Sequence, residues 1–140
     1  MAIEFHPQPG TILICDFDGL RDPEMIKRRP VVTISPRLRN RGRLVSVVPF
    51  STTPPFVACD YHHKLVVNPP LPAPYDEPSH WIKADMIYTV GFHRLFVPQL
   101  KKAPDGERQY DLRLISEDDL LHIRACVLRG IGLSRLTDYL

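Results

Sequence analysis

The residues best suited to chemistry gather early in this 140-residue sequence. Seven of the seventeen positions in KRRPVVTISPRLRNRGR, residues 27–43, are Lys or Arg, and none is acidic. A guanidinium is a planar fork of donors that matches two phosphoryl oxygens. Arg29 stands out because a polar loop enters an apolar run there, through Pro30. Neighbouring backbone can hold such a side chain in place instead of leaving it solvated. The next apolar run, LVSVVPF, exits into Ser51, Thr52 and Thr53. With SPRLRNRGR as the turn between them, the two runs form an antiparallel hairpin. The start of one strand and the end of the other then share a sheet edge. Arg29 and the Ser51 and Thr52 hydroxyls converge on one anion, with Glu24 in reach from the preceding loop. The competing reading is structural: an ion pair of Arg29 with Glu24 or Asp16, and hydroxyls that merely end a strand.

What such a group can do depends on the anion. In RNA the ribose 2′-OH lies beside the phosphorus, so the substrate carries its own nucleophile. Cleavage then needs proton transfer and stabilisation of a phosphorane, without a metal-bound water. Arg29 suits charge stabilisation, and Ser51 suits a hydrogen bond to a non-bridging oxygen. Proton donation by Arg29 to the leaving 5′-oxygen is awkward, because a guanidinium stays protonated. The expected products are a 2′,3′-cyclic phosphate and a 5′-hydroxyl, and DNA is spared. Lys27, Arg28, Arg37, Arg39, Arg41 and Arg43 are the candidate RNA-binding residues. The last four alternate along the turn, either as a rim that positions RNA backbone or as a solubilising face. Trp81, the single tryptophan, is either a base-stacking surface or a half-buried core or dimer residue.

Other chemistries find less support. There is no Cys-x-x-Cys pair and no His-Glu-x-x-His helix among the six histidines and three cysteines, so no metal site is expected. His62 and His63 are adjacent and point to opposite faces of a strand. Gly10, Gly19 and Gly42 stand alone, without a phosphate-cradling loop. No serine lies in a G-x-S-x-G elbow. No cofactor is implied.

The elements that must position Arg29 and Ser51 are mostly short strands. Pro9-Gly10 introduces TILICDF as the first. Residues 18–28 form a loop, VVTI the second strand, and LVSVVPF the third, whose apolar bias on both faces predicts a central place. Further strands are expected at 63–67 and 81–85, with a strand or turn into Val90 and another strand within HRLFVPQL. Prolines at 69, 70, 72, 74 and 78 cannot donate to a ladder, so residues 68–79 read as an extended, proline-rich surface loop. Ser116 followed by Glu117, Asp118 and Asp119 is a helix start. Leu120, Ile123, Val127 and Ile131, widened by Leu121 and Leu128, give the apolar stripe of that helix. The result is one domain over residues 1–140, a bent sheet of five to seven strands with one terminal helix. Formal net charge is only +2; residues 1–64 carry nine Lys/Arg to six Asp/Glu, residues 65–140 nine to ten, so the basic excess sits in the 27–43 stretch. No apolar run approaches the roughly 20 residues of a membrane span. MAIEFHPQPG has neither the basic nor the apolar part of a signal peptide. With an odd number of cysteines, the expectation is a cytoplasmic protein without a membrane partner.

PGTILICDFDG, RRPVVTISP and VVPFSTT, in that order and followed by KADMIYTV, resemble the MazF/PemK family of toxin endoribonucleases across essentially the full chain. The resemblance implies a small SH3-like β-barrel with a C-terminal helix, acting as a homodimer. It implies metal-independent, sequence-selective cleavage of single-stranded RNA, mainly mRNA, restrained by a cognate antitoxin. The family's catalytic arginine matches Arg29 and its threonine matches Ser51, a departure that leaves Thr52 as the alternative hydroxyl. Its acidic loop residue matches Glu24, and the acids of its opening strand match Asp16 and Asp18. Segment 54–80 is longer and richer in proline than the family pattern. The alternative is a non-catalytic member of the same fold that binds RNA or a protein, as the CcdB branch acts on a topoisomerase.

Overall fold

The computed structural model describes residues 1–140. Its strands are β1 (Ile12–Cys15), β2 (Arg29–Thr33), β3 (Leu44–Ser51), β4 (His62–Val66), β5 (Ser79–Lys83), β6 (Tyr88–Gly91) and β7 (Leu95–Phe96). One helix, α1 (Glu117–Gly130), follows, and a short 3-10 segment, Ser134–Tyr139, ends the chain. No helix is long and apolar enough to cross a membrane.

β3 organises the sheet. Along one edge it pairs with β2; its first half also pairs with β6 and its end with β5, all antiparallel. Val47, Val48 and Phe50 are all buried, as the two-sided apolar pattern predicts. Alternate residues feed two cores, since successive strand side chains point to opposite faces. Leu13, Cys15, Val31, Val45 and Val47 pack with Phe17, Phe92 and Leu95; Ile12, Val32, Val48 and Phe50 pack with Leu65, Ile82 and the helix residues Ile123 and Cys126. Burial pushes the Cys15 thiol up to about 12, so it is a small core residue and no nucleophile.

The barrel expectation is overturned. The sheet runs β4-β5-β3-β2-β1-β7, with β6 attached to β3 alone. A ring through β3, β2, β1 and β7 could close only by pairing β7 with β6. Instead the 3-10 turn Phe92–Arg94 separates those two strands, and β7 lasts two residues. Pro98, which cannot donate to a ladder, follows closely. The sheet is therefore open: mainly β, with a C-terminal helix.

Helix α1 starts as the sequence predicts. The Ser116 hydroxyl accepts from the Asp119 amide at 3.0 Å and donates to the Asp119 carboxylate at 3.0 Å. Its buried face is narrower than the stripe, because Ile123 and Cys126 are buried whereas Leu121 and Ile131 are exposed. Burying Ile123 is worth about 1.5–3 kcal/mol. At the other end of α1, a Cβ on Gly130 would stand 3.0 Å from the Asp85 main chain, so glycine permits the helix to meet the β5–β6 turn. In the proline-rich segment between β4 and β5, Leu71 turns inward and is fully buried. Arg113 pairs with Asp111 and donates to the carbonyls of Pro69 and Pro70, tying that segment to the strand-like stretch before α1.

Candidate active site

The β2–β3 register pairs Thr33 with Val47, Val32 with Val48 and Val31 with Pro49. Continued by two residues, it sets Arg29 opposite Ser51. The Arg29 Nη1 donates to the Phe50 carbonyl at 3.3 Å, which fixes the guanidinium at the strand end. No carboxylate lies within ion-pair distance of it. Its Nε is buried without a hydrogen-bond partner. Burial lowers the Arg29 pKa, with Tyr88 acting in the opposite direction. A half-buried guanidinium with an unpaired donor and no resident anion is no structural salt bridge. It is a ready site for an anionic ligand.

Arg29 forms one wall of a cleft of about 520 Å³, within the roughly 300–1,000 Å³ usual for ligand sites. The loop before β2 supplies Asp22, Glu24, Lys27 and Arg28; the end of β3 supplies Ser51, Thr52 and Thr53. Pro74 and Tyr75 come from the proline-rich segment, and His80 and Lys83 from β5. Four cationic side chains thus face two carboxylates, which favours a polyanion. Glu24 is exposed, and its Oε1 accepts from the Arg21 amide at 3.1 Å.

The two candidate hydroxyls differ in setting. Ser51 is 7 % exposed, accepts from the Thr53 amide at 3.2 Å and donates to the Thr53 carbonyl at 3.4 Å. Thr52 is exposed and makes no side-chain hydrogen bond. Ser51 is therefore engaged in holding the turn, and Thr52 is free to meet a ligand.

His80, Lys83 and Tyr75 were not among the residues singled out by the sequence. β5 pairs with β3 through Phe50–Ile82 and Ser51–Trp81, which brings His80 beyond Ser51 to the cleft wall. His80 is 2 % exposed, and its ring centroid stands 5.1 Å from that of Phe50. Its Nε2 has no partner. Burial lowers its pKa, against the main-chain carbonyl and carboxylate of Glu77, so the imidazole is neutral near pH 7. Lys83 opens the KADM stretch, and that was the available signal for it.

Other candidates lie elsewhere. Arg37, Arg39, Arg41 and Arg43 are exposed at the closed end of the β2–β3 hairpin, about 25 Å from Arg29 at roughly 3.3 Å per strand residue. Positive φ falls on Asn40 (62°) and Arg43 (57°); the Arg43 guanidinium lies 5.4 Å over the Phe92 ring. Trp81 pairs with Ser51 across the strands but does not line the cleft. Asp16 and Asp18 also lie outside it, and their carbonyls accept from Arg94 at 3.0 and 2.8 Å. No group of three or more His, Cys, Asp or Glu side chains is placed to hold a metal ion.

Known proteins give this geometry a context. A Haemophilus influenzae protein is 26 % identical over 151 residues, covering 99 % of both chains. YifN of Escherichia coli K12 is 32 % identical over 114 residues, covering 68 % of this chain and 75 % of its own. Among solved structures, a mycobacterial endoribonuclease in complex with its cognate antitoxin superposes with a TM-score of 0.61 at 19 % identity, covering 91 % of this chain and 97 % of that one. MazF from Deinococcus radiodurans gives 0.60 at 18 %, covering 92 % and 99 %. These two likenesses are of fold. The sequence profile that matches residues 8–123 is that of the PemK-like, MazF-like toxins of type II toxin–antitoxin systems, and it is to this family that the chain belongs.

Proposed function

We propose that this PemK/MazF-family endoribonuclease cuts single-stranded RNA, mainly mRNA, at the Arg29 cleft by attack of the ribose 2′-OH on the adjacent phosphorus. The observation that carries the reading is the Arg29 guanidinium itself, half-buried in the cleft wall at the strand end opposite Ser51 and without a carboxylate partner. The phosphate seats on Arg29, with Lys27, Arg28 and Lys83 adding field. As the 2′-oxygen bonds to phosphorus, charge grows on the non-bridging oxygens, where preorganised donors are worth most. Thr52 or Ser51 supplies a hydroxyl to one of those oxygens.

Glu24, exposed at the cleft, can accept the 2′-OH proton, whereas His80 is buried in the wall and stays out of the reaction. The P–O5′ bond then breaks, and the 5′-oxygen takes a proton from a cationic donor. Lys83 fits that step better than Arg29, whose guanidinium holds its proton more tightly even when burial lowers its pKa. The products are a 2′,3′-cyclic phosphate and a 5′-hydroxyl, and no metal ion is needed because RNA brings the nucleophile.

The same reading includes two protein partners. One is a cognate antitoxin, a kind of partner that the mycobacterial endoribonuclease also has; here it lays an acidic segment over the basic cleft and excludes RNA by charge and occlusion. A second copy of the chain completes a homodimer. Incubation of purified protein with a long single-stranded RNA in excess EDTA, followed by end-group analysis, tests the reaction. Fragments with cyclic phosphate and 5′-hydroxyl ends are expected. Cutting that requires added metal overturns the mechanism, and intact RNA returns the chain to a binding role.

A further inference from the structure

Beside the cleft lies a second, smaller hollow of about 180 Å³. Its lining includes Phe96 of β7, Tyr75, Tyr110, Gln99 and Arg28, the last of which also lines the cleft. Tyr75 lines both cavities as well, so the two are adjacent. The Arg28 guanidinium lies 4.3 Å over the centre of the Phe96 ring. We propose that this hollow is a nucleobase subsite, which holds the base of a nucleotide next to the scissile phosphate and sets which base is accepted there. The inference rests on the endoribonuclease reading of the cleft and adds a specificity determinant to it.

The chemistry of the walls selects the occupant. No acidic side chain faces the hollow, and its one cation is already stacked on an aromatic ring, which suits a π face better than a second phosphate. Flat aromatic rings and a guanidinium plane are the surfaces on which single-stranded bases stack. The Gln99 amide offers both a donor and an acceptor, which can read the edge of a base. At 180 Å³ the space is well below the roughly 300 Å³ at which drug-sized pockets begin, and one ring system fills it.

The walls are also fixed before any ligand arrives. Gln99 pairs with Tyr110 in a β-bridge, flanked by Asp111 N to Pro98 O and Leu100 N to Gln109 O, both 2.8 Å. Arg113, paired with Asp111, holds the carbonyls of Pro69 and Pro70 and so couples the proline-rich side to the Tyr110 side. Preorganised walls spare the ordering cost of binding.

The test uses the full chain and two readouts. Cleavage sites on a long RNA are mapped by sequencing for wild type, Tyr110→Ala, Tyr110→Phe and Gln99→Ala. In parallel, a randomised RNA pool made non-cleavable by 2′-deoxy substitution is selected for binding and sequenced. Tyr110 is 45 % exposed, so its truncation leaves the core intact. Tyr110→Ala should lower kcat/KM at the preferred sites about tenfold, the scale of a single base–aromatic stack, and flatten base preference at a single position near the cut. Tyr110→Phe should keep the wild-type pattern, and Gln99→Ala should flatten the same position. Wild-type cutting with unchanged site preference in both alanine variants overturns the subsite. Absence of cutting by wild type overturns the endoribonuclease reading alone, and the bound pool then decides the subsite. A base preference that disappears in Tyr110→Ala upholds it, and an identical pool overturns it.

Discussion

Arg29→Ala separates a catalytic guanidinium from a structural one. Removing a preorganised donor from developing transition-state charge costs about 10²–10³ in kcat, or about 2.7–4 kcal/mol. The stability side works out differently. The substitution loses one hydrogen bond, to the Phe50 carbonyl, worth about 0.5–1.5 kcal/mol. It also removes a buried, unpartnered Nε, whose desolvation costs about 1–3 kcal/mol. No ion pair is broken, because Arg29 has none. These opposing effects leave a net change within about 2 kcal/mol, which moves Tm by no more than about 8 °C in a chain of this length. A fluorophore–quencher RNA oligonucleotide reads cleavage, and circular dichroism melting reads stability. At least a hundredfold loss of kcat is expected, with a Tm change no larger than about 8 °C. Arg29→Lys, which keeps the charge but not the fork, should fall between wild type and alanine. Cutting by Arg29→Ala within threefold of wild type would refute the catalytic assignment, and a Tm loss above about 10 °C would show a structural residue instead.

Other parts of the cleft and its surroundings respond differently. Ser51→Ala should cost about 1 kcal/mol of stability through loss of the bond from the Thr53 amide, Thr52→Ala almost none, and the double variant should lose at least tenfold in kcat. Equal kcat in the double variant and wild type would remove both hydroxyls from the mechanism. Burial holds the folded-state pKa of His80 below its usual value near 6.5, so the unfolded chain binds the proton first. Its contribution to stability is complete above pH about 6.5 and is lost as pH falls through the lowered folded pKa. His80→Gln should flatten that part of the pH–Tm curve, and an unchanged acid slope would contradict it. Replacing Arg37, Arg39, Arg41 and Arg43 with Gln should reduce the salt dependence of binding to long RNA, by about 0.7 in log–log slope for each phosphate no longer neutralised. Cleavage of a short oligonucleotide spanning only the cleft should stay within about twofold, because these residues stand about 25 Å away; a collapse on the short substrate would place them at the reaction.

How far the sequence reached follows from the range of each interaction. Arg29 and Ser51 were legible as partners because a local hairpin fixes both the strand ends and their register. The same hairpin also places Arg37 to Arg43 at its closed end, away from Arg29, whereas charge alternation alone drew them toward one rim. His80 and Lys83 reach the cleft only through the β3–β5 pairing, which joins segments some thirty residues apart and leaves no periodic trace. Tyr75 sits among prolines whose path is set by Leu71 turning inward and by Arg113, neither of which a pattern of hydropathy records. Barrel closure depends on whether β6 and β7 exchange hydrogen bonds, and the apolar content of both strands is the same either way. The cap at Ser116 and the burial of Ile123 needed only local chemistry and a 3.6-residue period, and both were readable.

Central to all of this is that RNA provides the attacking oxygen at the Arg29 cleft. The most direct test is a single 2′-deoxy substitution immediately 5′ of a mapped cleavage site, with Kd and kcat measured side by side. Binding within a few-fold of the all-ribose strand, with no detectable cutting at that bond, is the predicted result. Cutting of the deoxy-substituted bond at the ribose rate would contradict it.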